Sequence, residues 1–498
     1  MERMSPLDAS FLHIEDGISH MHIGSVAIFE GPPPAYEDFA AMVARKLPLI
    51  PRYRQVVRFT PMGLGRPAWI DDPGFNLGYH VRHTALPDPG GEEELRKVVG
   101  RLMSQQLDRS KPLWELWVAE GLDHGRWALI SKVHHCMVDG VSGTDLMAVL
   151  LDLKREPDPA VIEDRWLPAP RPSRAELLAQ AIAERAVNPY EYVRGLRSLT
   201  RTPRMVSSQL TNAAKGLVSY GSMIQRSAPE TTLNGPIGPH RRWDWARTRL
   251  SDVKIVRAAY GGTVNDVVLT VITRGFRDLL RSRGEPVAGR HLTTMVPVSV
   301  RSESERGAYN NKVSAMFARL PVGLEDPIDR LNAIRSQMEG LKDSHQAVAG
   351  EALTSLTGFA PPMLLALGAR AAGRMSQRNL NTITTNVPGP QFPLYALGRR
   401  MLEAIPYVPL ANTLRTTVAI FSYDGSLTFG VTGDYDEAAD IGVLCDGIED
   451  GMDELVALSG ASGIGTEDLG ATKPAPRSDP TVAPPAAQQG SPASPESD

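Results

Sequence analysis

Twice along this chain, short runs rich in β-branched and aromatic residues alternate with stretches of helical periodicity, and a proline-broken segment separates the two series. That alternation restricts the fold to mixed α/β layers built in two halves. In the first half, residues 23–29, 53–59, 113–119 and 127–133 read as strands, and residues 39–47, 92–107 and 141–153 as helices. The prolines at 157, 159, 168, 170 and 172 then break the chain, and residues 174–225 are helical in character and short of strand formers. The second series has helices at 251–260, 263–281 and 441–458 and strands at 291–298, 312–320, 382–387, 416–421 and 427–432. The expected organisation is a first lobe over 1–155, a Pro-rich and helical linker over 156–235, a second lobe over 236–458, and a tail over 459–498. The tail is Ala, Pro, Ser, Gly and Gln with almost no large apolar residue, too little to offset the entropy of ordering it.

Composition narrows the class of function. With 498 residues, 42% of them hydrophobic and 22% charged, a sizeable core is available. Against 53 basic residues stand 57 acidic ones, a formal net charge of -4, so nothing pulls the chain globally towards nucleic acid. Two cysteines, Cys136 and Cys445, make neither a disulfide framework nor a cysteine-ligated zinc site and leave a reducing compartment as the default. The N-terminus shows no secretory pattern, and no apolar run approaches the ~18 residues of a spanning helix. Between residues 190 and 226, Arg194, Arg197, Arg201, Arg204, Lys215 and Arg226 face only Glu191 and are interleaved with Leu, Val and Met. This basic amphipathic stretch suits either a membrane surface or a solvated linker helix.

The chemistry is concentrated in His134-His135-Cys136-Met137-Val138-Asp139-Gly140, where the strand over 127–133 ends. Two His, an Asp and a Gly at this spacing arise by chance only on the order of once in a thousand chains of this length. Neighbours on a strand point to opposite faces, so one histidine can look into a channel while the other faces the protein. A histidine with a pKa near ~6.5 is largely neutral at pH 7 and can take a proton from a hydroxyl attacking a carbonyl. Gly140 lets the chain turn back so that the Asp139 carboxylate serves the loop's architecture. A metal site is disfavoured, because adjacent strand histidines diverge and no further ligand spacing accompanies them.

His-His-x-x-x-Asp-Gly in this setting resembles the CoA-dependent acyltransferase superfamily, which includes chloramphenicol acetyltransferase and the condensation domains of peptide synthetases. Further motifs resemble those of the bacterial wax ester synthase/diacylglycerol acyltransferases, in the expected order. These are Ser5-Pro6-Leu7-Asp8-Ala9-Ser10-Phe11, Met21-His22-Ile23-Gly24, Pro112-Leu113-Trp114 with Gly121, Asn234-x-x-Ile237-Gly238-x-x-Arg241, Val264-Asn265-Asp266-Val267, Val296-Pro297-Val298-Ser299-Val300-Arg301, Val313-Ser314-Ala315-Met316-Phe317 and Thr385-Asn386-Val387-Pro388-Gly389-Pro390. Two positions depart from the pattern: Leu233 stands where an aromatic residue is usual, and Asn310 precedes Asn311 where a glycine is usual.

The resemblance implies an α/β fold of two chloramphenicol acetyltransferase-like lobes, each a mixed β-sheet flanked by helices, with a channel between them. It implies no cofactor, a long-chain acyl-CoA as co-substrate, and a diacylglycerol or long-chain alcohol as acceptor, giving triacylglycerol or wax ester. By the same resemblance His135 is the general base, and His134, Asp139 and Gly140 keep its loop in shape. Asn265, Asp266 and Ser299 are candidate substrate-binding or oxyanion residues, Asn265 and Ser299 as the donors, although Asn265 and Asp266 equally suit a helix cap. Asn386, Pro388 and Gly389 would shape the CoA entrance or form a rigid turn. Substrates of this kind imply a cytoplasmic enzyme at the inner face of the plasma membrane or at lipid droplets. The basic stretch, or the helical face carrying Arg370, Arg374 and Arg378, would then supply the contact. Two other roles fit the same motif: a transferase fed by a carrier-protein arm, and a catalytically silent lipid-binding protein.

Overall fold

A computed structural model of the chain describes residues 2–137, 145–156, 163–187, 228–299, 313–343, 379–411 and 413–460. The helical stretches expected over 190–226 and 363–378, Asp139, Gly140, Asn310, Asn311 and the tail beyond 460 lie outside the described residues. The strands, in chain order, are β1 (Glu2–Arg3), β2 (His22–Phe29), β3 (Gln55–Arg58), β4 (Ala68–Asp71), β5 (Val81–Ala85), β6 (Trp114–Glu120), β7 (Trp127–His134) and β8 (Arg241–Arg249). They continue with β9 (Leu292–Ser299), β10 (Val313–Leu320), β11 (Thr382–Pro388), β12 (Tyr395–Ala396), β13 (Arg399–Tyr407), β14 (Thr416–Tyr423) and β15 (Ser426–Asp434). They form two six-stranded sheets, β12-β13-β2-β7-β6-β5 and β10-β9-β11-β14-β15-β8, and a small third sheet β1-β4-β3. Both large sheets are mixed: β5–β6, β9–β11 and β11–β14 are parallel, and the other pairs are antiparallel.

Each sheet is covered by amphipathic helices. Strand β7 reads as an almost continuous apolar run because it is buried along its whole length between β2 and β6. The one cation in that run, Lys132, is only 1% exposed, and its ammonium donates to the carbonyls of Leu102 (3.0 Å) and Gln105 at the end of helix Glu92–Met103. A helix C-terminus offers unpaired carbonyls and partial negative charge, so a buried ammonium there is compensated. Burial nevertheless pulls its pKa down to about 8. In the second lobe, helices Val264–Ser282 and Ile441–Leu458 pack a largely apolar surface on the sheet, with Val267, Val271, Phe276, Leu444, Ile448 and Leu455 all buried. Leu233 lies wholly buried in the same core, so an aliphatic side chain fills that position.

The lobes do not follow sequence order. The expectation that 236–458 forms one lobe by itself is corrected at 395–407. β13 leaves the second lobe and pairs antiparallel with β2, from Tyr407 opposite Gly24 to Met401 opposite Phe29, with β12 beyond it. Residues among the linker prolines also pack on the first lobe, since Arg54 pairs with Asp164 (2.7 Å) and Arg171 with Asp72 (2.5 Å).

The excursion of β13 welds the two sheets together. Trp243 and Trp245 of β8 pack with Val26, Ile28, Leu95, Val99, Ile405 and Tyr407 in one shared core. Around it, Arg247 binds both Glu403 (2.6 Å) and Glu92 (2.7 Å), and Arg96 binds Asp244 (2.5 Å) while lying 4.2 Å over the Trp245 ring. Backbones approach so closely that a Cβ on Gly430 would lie 1.8 Å from the Pro406 carbonyl oxygen, which only glycine permits.

Candidate active site

Strand β7 carries the histidine pair at its C-terminal end. His134 is its last residue, opposite His22 of β2, and His135 begins a single 3-10 turn, His135–Met137. Strand alternation alone therefore does not separate the two rings; the chain leaves the sheet between them. The motif Pro112-Leu113-Trp114 supports this exit. The His134 amide donates to the Leu113 carbonyl (2.9 Å) and the Trp114 amide to that of Pro112 (3.0 Å). The Trp114 indole donates to Tyr53 O (2.8 Å) and stacks at 4.5 Å on His80, whose Nδ1 bonds the Trp114 carbonyl. Gly121, at φ +82°, closes β6 at its far end.

The ring of His134 is fully buried and committed to the protein. The Cys136 amide donates to its Nδ1 (3.1 Å), so the ring proton resides on Nε2, which lies 3.4 Å from Oε2 of Glu15. Glu15 is the hub. Its Oε1 accepts from the Met21 amide (3.1 Å), and its Oε2 accepts from Arg109 Nε (2.8 Å) and Nη2. Burial alone would raise the Glu15 pKa, but His134 and Arg109 together outweigh it and hold the carboxyl at about 2. Both ring nitrogens of His134 are thus turned towards protein groups, with none of the ring exposed.

His135 has a different environment. Its amide donates to the Met21 carbonyl (2.8 Å), its ring stacks on Phe11 with centroids 3.9 Å apart and planes 22° from parallel, and its Nδ1 is buried without a hydrogen-bond partner among the described residues. Desolvation lowers its pKa to about 4, helped by the neighbouring His134 and opposed by its own backbone. The imidazole is therefore neutral at physiological pH and able to take up a proton. Nearby His20 and His22 are also held neutral, first by burial; Arg241 adds to this for His20 and Lys132 for His22.

The remaining sequence-derived residues fall into separate groups. Asp266 is 3% exposed and caps its own helix. Its Oδ2 accepts from the Thr263 amide (2.7 Å) and hydroxyl (2.8 Å), while the Asp266 amide donates back to Thr263 Oγ1 (3.3 Å). Oδ2 of Asp266 thus serves the helix cap, while its Oδ1 is buried without a hydrogen-bond partner among the described residues, and an ionised carboxylate there accepts but does not donate. Asn265, half-buried, sits beside it in the helix's first turn. Ser299 ends β9, paired with Val313. Asn386 and Pro388 lie on β11 opposite Ile420 and Ser422 of β14. A Cβ on Gly389 would come within 2.2 Å of the Ser422 carbonyl, so its place is a close backbone crossing, which the Gly389 amide reinforces by donating to Ser422 Oγ (3.2 Å).

Sequence reading assigned no role to Glu15, Arg109 or Asn381. Asn381 is fully buried and joins the linker's end to the second sheet, donating to Pro229 O (2.9 Å) and Asn234 Oδ1 (2.8 Å) and accepting from the Thr293 amide. Among the described residues, no single helix is long and apolar enough to cross a membrane.

The chain matches the family models for the wax ester synthase/diacylglycerol acyltransferase catalytic domain over residues 4–268 and for the C-terminal domain of the same family over residues 309–456. A Mycobacterium tuberculosis protein named a diacylglycerol O-acyltransferase is 39% identical over 465 residues, covering 92% of this chain and 96% of its own; its Mycobacterium bovis counterpart matches to the same extent. Among solved structures, the wax ester synthase/diacylglycerol acyltransferase of Marinobacter aquaeolei aligns with a TM-score of 0.63 at 25% identity, covering 92% of this chain and all of the other. The first condensation domain of the calcium-dependent antibiotic synthetase shares the fold, with a TM-score of 0.57 at 17% identity over 92% of this chain and 96% of its own.

Proposed function

Since the chain belongs to the wax ester synthase/diacylglycerol acyltransferase family and is an O-acyltransferase, we propose that it esterifies diacylglycerol, and long-chain alcohols as a second acceptor class, from long-chain acyl-CoA, with His135 as general base. One observation carries this reading: of the two adjacent histidines, one faces Glu15 and the Cys136 amide, while the other is neutral and, among the described residues, held through its backbone and one ring face. In this reading His135 removes the proton of the acceptor hydroxyl as its oxygen attacks the thioester carbon. The tetrahedral intermediate then collapses, the C–S bond breaks, and the CoA thiolate recovers the proton from the imidazolium. The developing oxyanion requires a donor at hydrogen-bond distance. Asn265, in the first turn of helix Val264–Ser282, supports that role better than the acceptor-only Asp266 beside it. Donor and acceptor would approach His135 from opposite ends of a channel between the lobes, with no resident cofactor taking part.

The test incubates purified protein with radiolabelled palmitoyl-CoA and, separately, a diacylglycerol, a long-chain alcohol and no acceptor, alongside His135→Ala. Labelled triacylglycerol or wax ester that disappears in the variant is the expected result. A folded His135→Ala protein that retains ester formation would remove His135 from the mechanism. Free acyl-CoA failing as donor, while a carrier-protein thioester succeeded, would favour the condensation-like alternative. Substrates of this kind reside at membranes, so we also place the protein in peripheral contact with a lipid surface.

A further inference from the structure

A general base that becomes an imidazolium in the transition state is usually oriented by a polar partner on its second nitrogen. His135 has none among the described residues: its Nδ1 is buried and unpaired, and Glu15, the acid beside its neighbour, is engaged with His134 and Arg109. Among the described residues, a non-polar contact is left to fix the plane of the ring. The side chain in place to do so is Phe11, parallel to the imidazole to within 22° at a centroid distance of 3.9 Å.

The segment carrying Phe11 is itself held rigidly. Helix Pro6–Ile14 begins at Ser5, whose hydroxyl accepts from the Asp8 amide (3.1 Å) and donates to Asp8 Oδ2 (2.6 Å), with Pro6 pre-setting its first turn. It ends where the Glu15 amide donates to the Phe11 carbonyl (3.0 Å). One helical turn after Phe11, Glu15 reaches His134. One short helix therefore grips both rings of the pair, the first through a carboxylate and the second through an aromatic face.

We infer that Phe11 is the positioning residue of the reaction, holding the His135 imidazole in one plane and shielding it from water by stacking where other bases use a hydrogen-bonded partner. The inference rests on the reading of His135 as the base. A ring stack is the kind of contact that fixes ring orientation without adding or removing charge. It also keeps the ring desolvated, which agrees with its lowered pKa.

The test compares Phe11→Leu, which keeps apolar bulk and removes the aromatic face, with Phe11→Tyr, which keeps the ring. Two quantities are read: steady-state kinetics across pH, and the titration of His135 in the substrate-free protein by NMR of histidine labelled at Cε1, its resonance assigned with His135→Gln. For Phe11→Leu the expected result is a fall in kcat of roughly tenfold, as for a base displaced from its attacking geometry, with KM for acyl-CoA nearly unchanged. The His135 midpoint should rise from about 4 towards 6.5, and Phe11→Tyr should restore both values. An unmoved midpoint, or a loss of activity that Phe11→Tyr does not restore, would overturn the inference by showing that Phe11 only fills space. A midpoint that moves in Phe11→Leu while activity does not would uphold the clamp and refute His135 as the base, so the two failures are distinguishable.

Discussion

Replacing Glu15 by Gln tests the network behind the histidine pair most directly. The carboxylate is 1% exposed at its side chain and accepts from Arg109 and the Met21 amide while facing Nε2–H of His134. Its pKa stands at about 2 in the folded protein against 4.5 unperturbed. Each pH unit of separation corresponds to about 1.36 kcal/mol, so the ionised carboxylate contributes about 3.4 kcal/mol at pH 7, an order-of-magnitude figure. Because the folded value is the lower one, this contribution is complete above 4.5 and is lost as pH falls towards 2; at pH 3 roughly 1.4 kcal/mol remains by the same relation. Glutamine keeps the shape but turns one acceptor into an amide donor facing Arg109 and His134, leaving donors opposed to donors. Urea denaturation at pH 7 should therefore show Glu15→Gln destabilised by about 2–4 kcal/mol, with the gap to wild type narrowing as pH falls. A loss below about 0.5 kcal/mol at pH 7, or a gap that is constant down to pH 3, would refute the idea that the ionised carboxylate anchors His134.

Gly430→Ala would place a methyl group 1.8 Å from the Pro406 carbonyl oxygen, so β13 and β15 would have to move apart. Thermal unfolding should reveal a cost of about 1–3 kcal/mol or more, and an unchanged Tm would contradict the close crossing of the sheets. Peripheral lipid contact predicts that the protein floats with anionic liposomes at low salt and is released at high salt; failure to float at low salt would count against that contact.

Much of the fold could be read from local pattern. The strand positions at 22–29, 127–134, 292–299, 382–388 and 426–434, and the helices at 250–260, 264–282 and 441–458, agree with the sequence reading to within one residue, apart from one end that runs two residues longer. In those segments propensity and burial point the same way. Helix Pro6–Ile14 and β13 show no comparable local pattern. Arg399–Tyr407 mixes Arg, Met, Leu, Glu, Ala, Ile and Pro without clean alternation, because one side pairs with β2 while other positions meet β15 and Arg247.

The site divides along the same line. The chain by itself marked the candidate site, because two histidines at the end of a buried strand and the ordered motifs around them are local features. Tertiary structure decided which histidine is free, since Glu15 lies 119 residues before His134 and Arg109 reaches the same carboxylate from another element. It also decided that Asp266 is a cap and that Phe11 faces His135. A carboxylate's role is set by the donors within about 3 Å of it, and which donors those are depends on non-local packing that residue spacing along a chain does not encode.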